Sequence, residues 1–101
     1  MDDAIEALAA ELRRADGAVG FTGAGVSTPS GIPDFRSEGG IWEEHDPETF
    51  TIHRLRRDPE GFWAEMLDVH RTAFAGSPDP NPAHRAFATL EAAGRLEAIV
   101  T

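Results

Sequence analysis

Cysteine is missing from this 101-residue chain, and so is lysine. Without cysteine there is no disulfide framework and no thiolate metal site. The nine basic residues are all arginine, set against 18 aspartates and glutamates, and the formal charge is −9. That balance argues against direct nucleic-acid binding and against attraction to an anionic membrane. No run reaches the ~20 apolar residues of a membrane span. The opening Met1-Asp2-Asp3 is unlike the basic start of a signal peptide. A cytoplasmic location is the expectation. The acidic, lysine-free composition reads as a GC-rich genome with a solvated surface, and a salt-loving source also fits it.

What is present is ordinary globular content, with 41% hydrophobic residues. The length suits one small domain, of a size that buries a smaller share of its surface than larger domains do. Residues 2–16, DDAIEALAAELRRAD, predict a helix with Ile5, Leu8, Ala9 and Leu12 on one apolar stripe. Acids in its first turns and Arg13 and Arg14 in its last complement the helix dipole, and Gly17 is the expected stop. Residues 18–22, AVGFT, read as a short buried strand. The stretch Glu38 to Thr51 reads as a mobile loop anchored by Ile41 and Trp42. A second helix is expected from Asp58 to Ala75, with Asp58 as N-cap, Pro59 at the first helical position, and Phe62, Met66, Val69 and Phe74 inward. After the turn-rich Gly76 to Pro82, Asn81 and Pro82 open a third helix that Gly94 closes. Leu96 to Thr101 then reads as a second strand.

Helix, strand, helical excursion, helix, strand is the opening of an α/β fold with parallel strands. Two strands make a poor parallel sheet, because such sheets are normally wide and covered on both faces. An incomplete portion of a doubly wound sheet is therefore expected.

The chemistry concentrates in residues 20–37, GFTGAGVSTPSGIPDFRS. A strand that ends in glycines and starts a helix suits a pyrophosphate, because glycine lets the backbone approach and free N–H groups face the anion. The dinucleotide pattern G-x-G-x-x-G is not met, since Thr28 stands where the third glycine would be. Glu43 and Glu44 sit where a ribose-binding acid would be counted, but that acid normally ends the second strand, which arrives only at Leu96. Ser27, Thr28 and Ser30 are not framed as a nucleophile elbow and are read as caps of a short helix and its turn.

Taken as a unit, Gly23-Ala24-Gly25-Val26-Ser27-Thr28-Pro29-Ser30-Gly31-Ile32-Pro33-Asp34-Phe35-Arg36-Ser37 resembles the NAD-binding signature of the sirtuins, the Sir2-type protein deacylases. Asn81-Pro82-Ala83-His84, leading through Leu90-Glu91 and Gly94 to Ile99-Val100-Thr101, resembles the same family. The resemblance implies that residues 1–101 are the N-terminal part of a Sir2-type NAD-binding catalytic domain, ending just before its Gln-Asn-Ile-Asp motif. The fold it implies is the opening portion of a Rossmann-like, doubly wound parallel sheet. NAD is the implied cofactor. Ala24 and Thr28 match positions that contact it, Gly23 and Gly25 would permit its approach, and Ile32, Pro33 and Asp34 would border the nicotinamide pocket. Phe35 matches the aromatic beside the nicotinamide ribose, and Arg36 the arginine that contacts the dinucleotide. The segment from Glu38 to Thr51 would be the cofactor-binding loop.

The implied activity is NAD-dependent deacetylation of lysine in an acetylated protein, with release of nicotinamide. A Sir2-like NAD hydrolase or ADP-ribosyltransferase and a non-catalytic NAD-binding fragment are the alternatives. The general-base histidine, the zinc cysteines and the acyl-lysine channel of the family would all lie beyond Thr101. No catalytic or metal residue is therefore assigned within the chain, and the chain alone is expected to be inactive. His84 reads as structural, and His45, His53 and His70 as packed or solvated.

Overall fold

The computed structural model describes residues 2–101. Its elements are α1 (Asp2–Arg14), β1 (Val19–Phe21), a 3₁₀-helix (Ala24–Ser30), α2 (Ile41–Glu44), a second 3₁₀-helix (Pro47–Phe50), α3 (Ile52–Arg57), α4 (Pro59–Ala73), α5 (Pro82–Ala92) and β2 (Ala98–Val100). Contacts divide the chain into two compact units. One runs to Gly23 and includes Pro82–Thr101; the other is Ala24–Asn81.

The first unit holds α1, β1, α5 and β2. The strands are parallel, with Val19 opposite Ala98, Gly20 opposite Ile99 and Phe21 opposite Val100. Bonds from Glu97 N to Ala18 O (2.9 Å) and from Thr22 N to Val100 O (2.9 Å) extend the pairing. Gly20 is buried because the Phe87 ring of α5 sits where a β-carbon would be, 3.0 Å away. The helix stop at Gly94 is as expected. Gly94 takes φ +77°, Arg95 N donates to Leu90 O and Gly94 N to Glu91 O, which together make a Schellman cap.

Two expectations fail here for one reason, and a third fails separately. Val19 and Phe21 of the strand read as buried are exposed, Phe21 to 84%. On the α1 stripe Ile5 and Leu8 are exposed, and only Ala9 and Leu12 are partly covered. Two three-residue strands are too narrow to cover a 13-residue helix or both faces of a sheet. Gly17 does not cap α1, which ends at Arg14. Its positive-φ freedom is unused, and it lies against the Glu97 carboxylate instead.

The second unit is helical. Asp58 caps α4 as expected, accepting from Gly61 N at 3.0 Å, with Pro59 in the first turn. Phe62 is buried and Met66 and Val69 are partly so, whereas Phe74 is exposed and stacks on His70. The predicted loop over 38–51 is instead two short helices, and α3 follows with Thr51 as its cap. Glycines and acids at its start hid an aromatic cluster that winds the segment onto α4. Asp58→Ala should cost about 1 kcal/mol, the usual value of a cap. A lower urea midpoint would show it, and Asp58→Asn, which keeps the acceptor, should retain most of the stability.

Candidate functional site

The chain leaves β1 and winds at once into the 3₁₀-helix Ala24–Ser30. Thr28 Oγ1 donates back to Gly25 O at 3.0 Å from within the 3₁₀-helix, so this hydroxyl braces the turn from inside rather than capping its start. Gly31 N bonds Thr28 O at 3.0 Å, and Gly31 takes φ +93°, which turns the chain toward Ile32. Gly23 and Gly25 are different. Neither has positive φ, and no described atom lies within 4 Å of the β-carbon that either lacks.

Asp34 ties the next segment together. Its carboxylate accepts from Ser37 N (3.1 Å) and from Ser37 Oγ (2.5 Å), folding residues 34–37 back on the Asp34 side chain. Its carbonyl accepts from Ile41 N at 2.8 Å, and the Phe35 carbonyl accepts from Trp42 N at 2.9 Å. The start of α2 is thus bonded directly to the Asp34-Phe35 backbone. The approach is so close that Gly40 has no room for a side chain: three backbone oxygens lie within 3 Å of the missing β-carbon. Glu43 accepts from Gly39 N at 2.8 Å, which makes it a local cap in this structure.

Aromatic rings continue the anchorage. Phe35 packs on Trp42 with centroids 5.1 Å apart, Trp42 on Phe50 at 5.7 Å, and Phe50 on buried Phe62 at 6.2 Å. Arg36 stands next to this stack, exposed, and forms no ion pair among the described residues.

Three cavities open around these side chains. One of about 500 Å³ is walled by Ala24, Ile32, Pro33 and Phe35. Met66, Val69 and His70 of α4 also line it, and its surface is mainly apolar. A second, of about 310 Å³, touches Thr28, Ile32, Pro33 and Asp34, and a third of similar size touches Ala24, Asp34, Phe35 and Arg36. Seven of the nine residues singled out from the sequence therefore line adjoining cavities. Gly25 lines none of the three, and Gly23 falls in the other unit.

Gly40 and Phe50 were missed as site-shaping residues. For Phe50 the signal was an aromatic within reach of Trp42; for Gly40 no local pattern existed. Of the histidines, His45 packs edge-on against Phe50 (6.0 Å) and His70 against Phe74 (4.6 Å), while His53 is exposed. Among the described residues no cluster of histidines and acids is placed to hold a metal ion, so the zinc implied by the resemblance finds no donor set there. No helix among them is long and apolar enough to cross a membrane.

A parallel β1–β2 pair joined through helices, with a 3₁₀ turn following β1 in the chain order, defines the opening of an α/β domain. Solved structures agree. A Sir2 homologue variant in complex with 2′-O-acetyl ADP ribose is similar at a TM-score of 0.71 and 37% identity, over 93% of this chain and 37% of that one. A Sir2 variant with deacetylated p53 peptide and 3′-O-acetyl ADP ribose gives 0.68 and 36%, over 87% of this chain and 35% of that one. The fold is that of the Rossmann-like Sir2 proteins. The Sir2 family pattern matches residues 23–101, and the chain belongs to that family. It is 51% identical over 100 residues to the NAD-dependent protein deacetylase of Haloarcula marismortui, covering 98% of this chain. With the NAD-dependent protein deacylase 2 of Archaeoglobus fulgidus it is 43% identical over 102 residues. The chain spans 38% and 39% of the length of these two relatives.

Proposed function

We propose that this chain supplies the dinucleotide side of an NAD-dependent protein-lysine deacetylase, as the N-terminal part of its catalytic domain. The observation that carries this reading is Phe35, which is 46% exposed and borders both the apolar cavity and the cleft of Arg36. An apolar wall beside an unpaired cation suits a ligand with one flat, weakly polar ring and one anionic stretch. Ala24, Gly25, Thr28, Ile32, Pro33, Asp34, Phe35 and Arg36 would hold it. The open space over Gly25 leaves the backbone accessible there.

When bound, NAD supplies a nicotinamide glycosidic bond whose cleavage leaves a cation-like carbon for an acyl oxygen to capture. The chain's own residues prepare that event. Phe35 offers a wall with no nucleophile and keeps water from a reactive carbon. Ile32 and Pro33 give the departing ring an apolar surface. Arg36, with its planar fork of donors, pairs with the anionic part of the ligand and orients it. The Asp34 carboxylate is engaged by Ser37, so it shapes the rim of the site.

The reading is tested by NAD titration, with Trp42 fluorescence as reporter because that ring lies on Phe35. Arg36→Ala should weaken binding by about tenfold or more, the value of one charge-assisted contact. Phe35→Ala should weaken it as well and alter the Trp42 signal. Unchanged affinity in both variants would remove these residues from the site. The base and acyl-lysine channel would come from residues outside these 101, so the chain alone should not deacetylate an acetyl-lysine peptide. NAD-dependent turnover by the chain alone would contradict this.

A further inference from the structure

We propose that Asn81 is a positioning residue of the NAD site, acting through the 3₁₀-helix that carries Ala24 and Thr28. The proposal rests on the NAD reading above, and on a backbone defect that Asn81 repairs. In a 3₁₀ ladder the carbonyl of one residue accepts from the N–H three residues on. For Val26 that residue is Pro29, which has no N–H. Asn81 supplies the donor. Its Nδ2 lies 2.8 Å from Val26 O and 3.0 Å from Ser30 Oγ, across 55 and 51 residues of chain.

The chemistry selects an amide. A backbone carbonyl can only accept, so the atom facing it must be the nitrogen of Asn81. That nitrogen carries two hydrogens, one for each partner. Aspartate would present no donor and serine only one. Asn81 is also 7% exposed, so water does not readily replace it at Val26. The grip falls on the helix near its start and at its last residue, either side of the proline. It thereby sets the pitch of the turn on which Ala24 and Thr28 are displayed and from which Gly31 launches Ile32.

The test couples two substitutions on the full chain. Asn81→Ala should speed hydrogen exchange at the amides of residues 25–32 and raise the NAD dissociation constant, each by about tenfold, the effect of orphaning one part-buried carbonyl. Pro29→Ala returns an N–H opposite Val26, so the Pro29→Ala/Asn81→Ala double variant should recover both readouts to within about threefold. Ser30→Ala removes one acceptor only and should give a smaller change in the same direction. It also serves if Asn81→Ala fails to fold. Faster exchange with unchanged NAD affinity would make Asn81 structural only and overturn the proposal. Failure of Pro29→Ala to restore either readout would overturn the ladder argument. Absence of NAD binding by the unsubstituted chain would overturn the cofactor reading and this proposal with it. The exchange measurement would still decide separately whether Asn81 holds Val26.

Discussion

Gly40→Ala is expected to destabilise the helical unit by about 2–3 kcal/mol, the upper part of the range for forcing atoms into a space already full. A β-carbon at Gly40 would lie 2.7 Å from Ser37 O, 2.9 Å from Asp34 O and 2.9 Å from Phe35 O. All three are backbone atoms, so no side-chain rotation relieves the contact. The chain must part, and the bonds from Ile41 N to Asp34 O and from Trp42 N to Phe35 O are the ones that hold it closed. Losing them frees Phe35 from Trp42, so Trp42 fluorescence should change together with the unfolding midpoint. Gly76→Ala is the control. No described atom lies within 4 Å of its missing β-carbon and its φ is not positive, so the change should be neutral or slightly stabilising. Equal midpoints for the two variants would show that the closure at Gly40 does not matter.

Phe62→Ala should cost more, about 3–4 kcal/mol, as truncation of a buried aromatic usually does. Phe62 is 8% exposed and meets Phe50 at 6.2 Å and Trp63 at 5.4 Å. Few residues are buried as deeply, so neighbouring side chains have little material with which to refill the gap. The loss is a large share of the roughly 5–15 kcal/mol that folded chains hold in total. Because Phe50 and Trp42 link Phe62 to Phe35, the proposed NAD site should loosen along with the fold. Phe62→Leu should recover most of the stability, since it keeps apolar volume against Phe50. A Phe62→Ala variant with an unchanged unfolding midpoint would place the core elsewhere.

These two positions differ in how readable they were. Phe62 follows a proline-started, Asp-capped helix at the expected inward spacing, and such signals lie within a few residues of one another. The same holds for the Schellman turn at Gly94 and for the pairing of two apolar strands. The resemblance of residues 23–37 to the sirtuin signature likewise needed only a contiguous string. Gly40 was legible only as one more glycine in a stretch read as a loop, because the oxygens that exclude a side chain belong to Ser37, Asp34 and Phe35 folded back on it. Glu43 invited a ribose-binding role by its count from the glycines, whereas here it accepts from Gly39 N.

What the sequence by itself determined, then, is where α4 and α5 start and where α5 stops, the parallel α/β order and membership of the Sir2 family. Caps, turns and signatures act over one or two turns of chain. Only the tertiary structure decided that Ile5, Leu8 and Phe21 stay exposed, that residues 38–51 wind onto α4, and that Asn81 completes the ladder Pro29 interrupts. Each of these depends on which distant group arrives to cover a face or supply a hydrogen. No local pattern carries that information, because burial and hydrogen bonding are settled between segments far apart in sequence.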